Sequence, residues 1–323
     1  MKISFNQTTS RFDLERFASR DDMLEYMAGF DGLELMCLDD DERGIIPHGR
    51  VVGLHMSFFP YWLDFYNGDR AALIKEFGSA ERCFEEYGGD DVDALLARFR
   101  RDIADAERLG ASYVVFHVSD ASAQELITGR FRHTDEEVVD ATAEILNELT
   151  RGFTSYKPEL LLENLWYCGL TFTRPEITRR LLSAVQYEKT GLMLDTGHLM
   201  HTNPAIVTQS DAAEYINRML DEHGELCSRI RGVHLNRSLS GEFLRSTRLN
   251  PPCLADDYDA RTAQLYAYLF ELDRHEPFDV PEAARLVERI SPEYLTFEFI
   301  TRDRAEHRAY LERQLAALEL NLV

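Results

Sequence analysis

The sequence predicts an α/β fold of the (β/α)8 type, in which eight parallel strands close into a barrel ringed by helices. Three observations point to it. Eight short, near-continuous apolar runs are spaced along the 323 residues, longer amphipathic segments separate them, and histidines and carboxylates gather at the ends of the runs rather than at their starts. A parallel strand is buried on both faces and reads as an unbroken apolar run, so alternation of such runs with helical periodicity marks a parallel sheet.

The runs, in order, are Lys2–Phe5, Leu33–Leu38, Val51–Met56, Tyr113–Val118, Leu160–Glu163, Gly191–Asp195, Ile230–Leu235 and Tyr294–Glu298. Between them, apolar residues return at intervals of three and four in Val92–Leu109, Asp135–Leu149, Arg174–Val185, Asp211–Glu222 and Pro281–Ile290, the spacing of one helix face. Pro175 and Pro281 stand where a first-turn proline belongs, because that position needs no backbone N–H. No repeat or composition break marks a linker, so residues 1–323 are expected to form one barrel domain. Two segments on the strand-exit side, residues 57–91 and 237–272, are longer than ordinary connections and are expected to cover a substrate or contact a subunit, with a helix over Leu265–Leu272.

Composition narrows the function. With 57 acidic residues against 35 Lys and Arg, the formal net charge is −22, which disfavours unaided binding to a polyanion or an anionic lipid surface. A hydrophobic fraction of 45% excludes a disordered chain. Five widely spaced cysteines without a C-x-x-C pair indicate neither a disulfide framework nor a cysteine zinc site. No apolar run approaches the roughly 18 residues of a membrane span, and the first residues lack a signal-peptide core, so a soluble, cytoplasmic protein is expected.

The ends of the runs carry the chemistry. The third ends in His55, the fourth in His117, the fifth in Glu163-Asn164, the sixth in Asp195-Thr196-Gly197-His198, the seventh in His234-Leu235-Asn236 and the eighth in Glu298. An isolated strand-end histidine is ordinarily a hydrogen-bonded core residue. A carboxylate closing an apolar run is different, because burying its charge costs several kcal/mol unless it is paired or metal-bound. Few basic residues stand near to pair with it, Arg237 and Arg302 being the nearest. A mixed His, Asp and Glu set suits zinc, manganese or iron and leaves water positions open.

This ordered series resembles the strand-end motifs of the xylose isomerase-like TIM-barrel superfamily, and most its endonuclease IV branch, AP endonuclease family 2. The resemblance spans nearly the whole chain as motifs in order. It implies a trinuclear zinc site: His55, His117 and Glu163 on one ion; Glu163 shared with Asp195, His234 and Glu298 on the second; His198 with Asp273 and His275 on the third, Asp273-Arg274-His275 being similar to the family's Asp-Arg-His segment. Glu163, Asp195, His234 and Glu298 alone resemble the one-metal site of sugar isomerases and epimerases, for which manganese, cobalt or magnesium is the alternative to zinc. Outside that role, Asp273-Arg274-His275 reads as a solvated helix end. Four carboxylates with three Zn²⁺ would leave the rim at about +2, attractive to phosphate, and zinc-bound water with a pKa near 7 would supply hydroxide. The resemblance thus implies a metal-dependent phosphate ester or phosphodiester hydrolase. The alternative is a one- or two-metal sugar or sugar-phosphate isomerase or epimerase with Glu163 and Glu298 as catalytic acid/base pair and ligands. A metal-binding but catalytically silent barrel is a third reading.

Departures from the repair enzymes argue against a DNA substrate. After the second run the chain reads Asp39-Asp40-Asp41-Glu42-Arg43, whose acids would repel a phosphate backbone. After His55, the aromatic segment Met56-Ser57-Phe58-Phe59-Pro60-Tyr61-Trp62 is longer than the family's loop, and its rings either stack on a ligand or pack the loop. His234-Leu235-Asn236 continues with Arg237 where the family usually has Asp, and the insertion before Asp273 is much longer. A small phosphorylated or sugar-like substrate is expected, with the oligomeric state left open. His133, His201, His223 and His307 are expected at the surface, His201 also as a support for the site, and Gly88-Gly89 as a turn.

Overall fold

In the computed structural model, which describes residues 1–41 and 43–320, eight strands close into a barrel in chain order, each hydrogen-bonded in parallel to its neighbours. They are β1 (Lys2–Thr8), β2 (Gly32–Met36), β3 (Val51–His55), β4 (Tyr113–His117), β5 (Glu159–Glu163), β6 (Thr190–Asp195), β7 (Ile230–Leu235) and β8 (Tyr294–Phe297), with β8 pairing back onto β1. Every predicted run is a strand, and the differences lie at ends. β1 extends past Phe5 because Asn6, Gln7 and Thr8 pair with Glu34, Leu35 and Met36, and Asn6 exchanges two hydrogen bonds with the backbone of Phe299. β2 stops at Met36, short of the predicted Leu38, where Thr9 Oγ1 accepts from the Leu38 and Asp39 N–H groups in place of a strand neighbour.

The five predicted helices are present as Val92–Leu109, Asp135–Thr150, Pro175–Ala184, Gln209–His223 and Pro281–Ile290. Their starts are set by side chains that satisfy the free N–H groups of the first turn: Asp91 accepts from Ala94 N, and Thr134 with Glu137 and Thr208 with Asp211 form reciprocal boxes. Arg20–Tyr26, Ala123–Thr128 and Arg304–Ala317 are further helices that the periodicity did not single out. Among the described residues no helix separates β2 from β3; the acidic loop there is built on Asp41, whose carboxylate accepts from Ile45 N and Ile46 N, and Glu42 lies outside the described residues. No helix among the described residues is long and apolar enough to cross a membrane, and all five cysteines are free.

Both long segments fold into helices. Residues 57–91 form Leu63–Tyr66, Arg70–Phe77 and Ala80–Tyr87, the last closed by Gly88 in the left-handed conformation. Residues 237–272 form Gly241–Leu249 and Tyr258–Leu272. The second helix begins seven residues before the predicted Leu265 because Asp257, from the acidic run, caps it by accepting from Ala260 N. A separate apolar cluster of Ala121, Leu126, Ile127, Trp166, Leu244, Tyr268 and Leu272 fastens this segment over the exits of β4 and β5.

Inside the barrel, Tyr113, Val115, Leu161, Met193 and Tyr294 pack below the strand ends. Tyr113 crosses the interior to donate to Glu34 at 2.6 Å, and it can do so because β3 has Gly53, where a Cβ would stand 2.1 Å from the Tyr113 ring. Gly53→Ala should therefore lower stability by about 1–3 kcal/mol, the usual range for an overpacked core, as a shift in the urea unfolding midpoint.

Candidate metal centre

Side chains alternate along a strand, so one stripe of each faces the barrel axis. That stripe reaches His55 in β3, His117 in β4, Glu163 in β5, Asp195 in β6 and His234 in β7, with Glu298 just past β8. Register sets His117 beside Glu163 and Asp195 beside His234. The strand ends thereby deliver six ligand-type side chains to one rim.

Glu163 lies at the centre. Its Oε2 is 3.2 Å from His55 Nε2 and 3.2 Å from His117 Nε2, and its Oε1 is 3.2 Å from His234 Nδ1 and 3.3 Å from His198 Nδ1. His234 Nδ1 also stands 3.3 Å from Glu298 Oε2 and 3.9 Å from Asp195 Oδ2. On the far side, Asp273 Oδ2 is 2.9 Å from His275 Nε2 and 3.3 Å from His198 Nε2. Ligand atoms fall within 4.8 Å of one another in three groups: His55, His117 and Glu163; Glu163, Asp195, His234 and Glu298; and Asp195, His198 and His275. All nine residues singled out in the sequence meet here, with Asp195 joining His198 and His275 in addition to Asp273.

Asp273-Arg274-His275 is not a solvated helix end: His275 is buried, Asp273 turns inward, and Arg274 alone is exposed. The helix Tyr258–Leu272 stops here, and the next residues are tied to the exit of β7. Ser238 Oγ accepts from Arg274 N at 3.0 Å and donates to Asp273 Oδ1 at 3.1 Å, while Arg237 and Glu276 exchange backbone hydrogen bonds. These ties hold His275 at φ 45°, a conformation that a residue with a Cβ adopts only under constraint.

Among the described residues, no lysine or arginine lies within ion-pair distance of Glu163, Asp195, Asp273 or Glu298; Arg237 pairs with Glu276 and Arg302 with Glu306. Among the described residues, the partners that can carry a positive charge beside these carboxylates are imidazoles, and protonation reflects it. Burial opposes charge on His275, but Asp273 and Glu298 outweigh it and hold the imidazole up to about 9. Burial pushes Glu298 up to about 7 and His117 down to about 4. Buried polar atoms without partners, His275 Nδ1 and Glu298 Oε2, face each other at 3.7 Å. Five imidazoles and four carboxylates converging without a basic side chain, with orphaned atoms among them, fit divalent cations.

A supporting layer was less visible in the sequence. Glu34 is buried and accepts from His234 Nε2 at 2.8 Å, which leaves Nδ1 free to face the cluster; it also accepts from Tyr113 and Thr296. Its one signal is a lone carboxylate inside Leu33-Glu34-Leu35. Asn164 clasps the Asp195 backbone, and its carbonyl accepts from His198 Nδ1 at 3.0 Å. Asn236 donates to Asp195 Oδ2 at 2.7 Å, an approach that needs Gly197, where a Cβ would stand 1.9 Å from Asn236 Oδ1.

The four histidines expected at the surface are not there. His201 is buried against Asp273 at 3.1 Å, the supporting position also foreseen for it. His223 stacks on Phe172 and bonds Thr178, His307 bonds Tyr26, and His133 bonds Asp64. Each sits on a helix or loop face that packs inward. Of the aromatics after His55, Phe59 and Trp62 pack the loop, whereas Phe58 is partly exposed and stacks on His117 at 4.7 Å.

A family model described as xylose isomerase-like TIM barrel matches residues 27–319. No curated protein matches the sequence significantly. Among solved structures, the IolI protein with a bound zinc atom is 14% identical with a TM-score of 0.57, over 99% of this chain and 98% of its own. A D-tagatose 3-epimerase-like protein is 15% identical with a TM-score of 0.53, over 99% and 98%. Endonuclease IV from Thermus thermophilus is 15% identical with a TM-score of 0.47, over 99% of both chains. At such identities the likeness to the IolI and epimerase-like structures is one of fold.

The protonation of His275 has a measurable consequence. Its folded value of about 9 exceeds the ordinary 6.5, so the stability it contributes is fully present below 6.5 and is lost as the pH rises through 9. In chelator-treated protein, Tm should fall across that window, and fall less in His275→Gln. Added zinc should raise Tm more at pH 9 than at pH 6, because a cation displaces the proton.

Proposed function

The chain belongs to the xylose isomerase-like TIM-barrel family, and within it we propose a hydrolase with a multinuclear divalent-metal centre, most suited to zinc, that acts on a small phosphate ester or phosphodiester. One observation carries this reading: the ligand-type residues form three adjoining groups rather than one. A one-metal isomerase or epimerase would need only Glu163, Asp195, His234 and Glu298, and would leave His55, His117, His198, Asp273 and His275 buried together without a task.

His55, His117 and Glu163 would hold one ion, Glu163, Asp195, His234 and Glu298 a second, and His198, Asp273 and His275 a third. When bound, such ions supply Lewis-acid stabilisation of charge on phosphoryl oxygens and lower the pKa of water. The chain's own groups do the rest. Glu163 joins the groups, Glu34 fixes the orientation of His234, and Asn236 and Asn164 hold Asp195. Phe58 lies flat against His117, and the helix Tyr258–Leu272 walls the cleft beside the rim. A net charge of −22 and the helical cover over the strand exits favour a small substrate over a nucleic-acid duplex.

Metal analysis by inductively coupled plasma mass spectrometry tests the proposal. Close to three zinc per chain is expected, with one ion lost in His275→Ala and phosphodiesterase kcat/KM on bis(p-nitrophenyl) phosphate reduced at least about 100-fold. A single manganese, cobalt or magnesium per chain would overturn it in favour of an isomerase or epimerase. Glu34→Gln, which keeps the shape but weakens the support of His234, should lower metal affinity about 10–100-fold in competition with a chelating dye.

A further inference from the structure

The ligand cluster is open on one side. His117, Asp273 and Glu298 are its most accessible side chains, at 13% each, and the others lie at 7% or less. Over this side, the helices Arg70–Phe77 and Ala80–Tyr87 face Tyr258–Leu272 across a cleft of about 270 Å³. Asp273 lines the cleft as well as the cluster, and Phe58, flat against His117, and Ile300, two residues past Glu298, line it beside the opening. Cleft and cluster therefore adjoin at Asp273.

The walls do not suit a polar ligand. Phe77, Tyr258, Leu265, Tyr266, Leu269 and Phe270 form them, and four of the chain's exposed large apolar residues, Phe58, Tyr266, Phe270 and Ile300, collect around this one opening. Apolar side chains left in water at one concave place mark a binding surface. The charged lining residues besides Asp273 are Glu76, Glu86 and Arg261. Arg261 is committed: its guanidinium donates to the backbone oxygens of Ala255, Asp256 and Glu76 and lies over the Tyr258 ring. Among the described lining residues no cation is left to meet a phosphate, and the hydroxyls of a sugar would lose water to a wall that is mostly apolar.

We propose that this cleft is a subsite for an uncharged aromatic or branched aliphatic group, so that the substrate is a small ester with an apolar body in the cleft and an anionic head at the His117, Asp273 and Glu298 face. The position of the head rests on the metal-centre reading above; the nature of the body rests on the cleft alone.

Titration calorimetry of the zinc-loaded protein with methylphosphonate, benzylphosphonate and 1-naphthylmethylphosphonate tests it. Affinity should rise at least about tenfold from the first to the last as apolar surface is buried. That gain should vanish in Phe270→Glu and shrink in Tyr266→Ala, both exposed positions, while methylphosphonate binds all three proteins alike. Equal affinities across the series, or a gain that survives Phe270→Glu, would overturn the subsite and leave the metal centre standing. Should no phosphonate bind, the phosphate-ester reading fails, and the cleft is then read with neutral 2-naphthalenemethanol by saturation-transfer NMR. Binding that Phe270→Glu abolishes sustains the apolar subsite, and absence of binding overturns it.

Discussion

A fully buried carboxylate surrounded by four imidazoles organises this molecule. Glu163 touches His55, His117, His198 and His234, and it comes from the middle of the series of strand ends that carry the others. Charge placed so deep is tolerated only where opposite charge answers it, and here that answer comes as protons on imidazoles or as cations. The barrel supplies the geometry: parallel strands in register set His117 beside Glu163 and Asp195 beside His234, and the strands end within the polar layer. Fold and site are thus one arrangement, with an apolar layer below and an ionisable one above.

The ionisable layer is held by a shell that spends side chains on orientation. Glu34 reaches His234 from β2, the one barrel strand between β1 and β8 whose end adds no residue to the cluster, and Tyr113 and Thr296 hold Glu34 in turn. Gly53 and Gly197 make room for Tyr113 and Asn236. Such residues touch nothing reactive, yet they decide which nitrogen or oxygen faces the centre.

Much of this was legible in the sequence, for a physical reason. A strand buried on both faces cannot hide a polar residue, so His117, Glu163 and Asp195 stand out against apolar runs, and all eight strands were found from the same contrast. Glu34 was passed over because it sits within its run instead of at the end, where topology alone shows that it faces the barrel axis. His223 and His307 were read as surface residues because a helix face carries no label of its own; only packing shows which side turns inward. The helix Tyr258–Leu272 was seen by half, since its first turns are polar and depend on the Asp257 cap rather than on an apolar stripe.

The helix Tyr258–Leu272 has two ends of interest and one rigid body. Leu265, Tyr266, Leu269 and Phe270 line the cleft, and the chain leaves the helix directly into Asp273 and His275. One stretch of chain therefore both walls the cleft and enters the cluster. Under the reading proposed above, any factor by which an occupant of the cleft changed the cluster's affinity for cations would be returned by the cations to the occupant, because linkage is reciprocal. Selectivity and ion retention would then draw on the same short stretch of sequence.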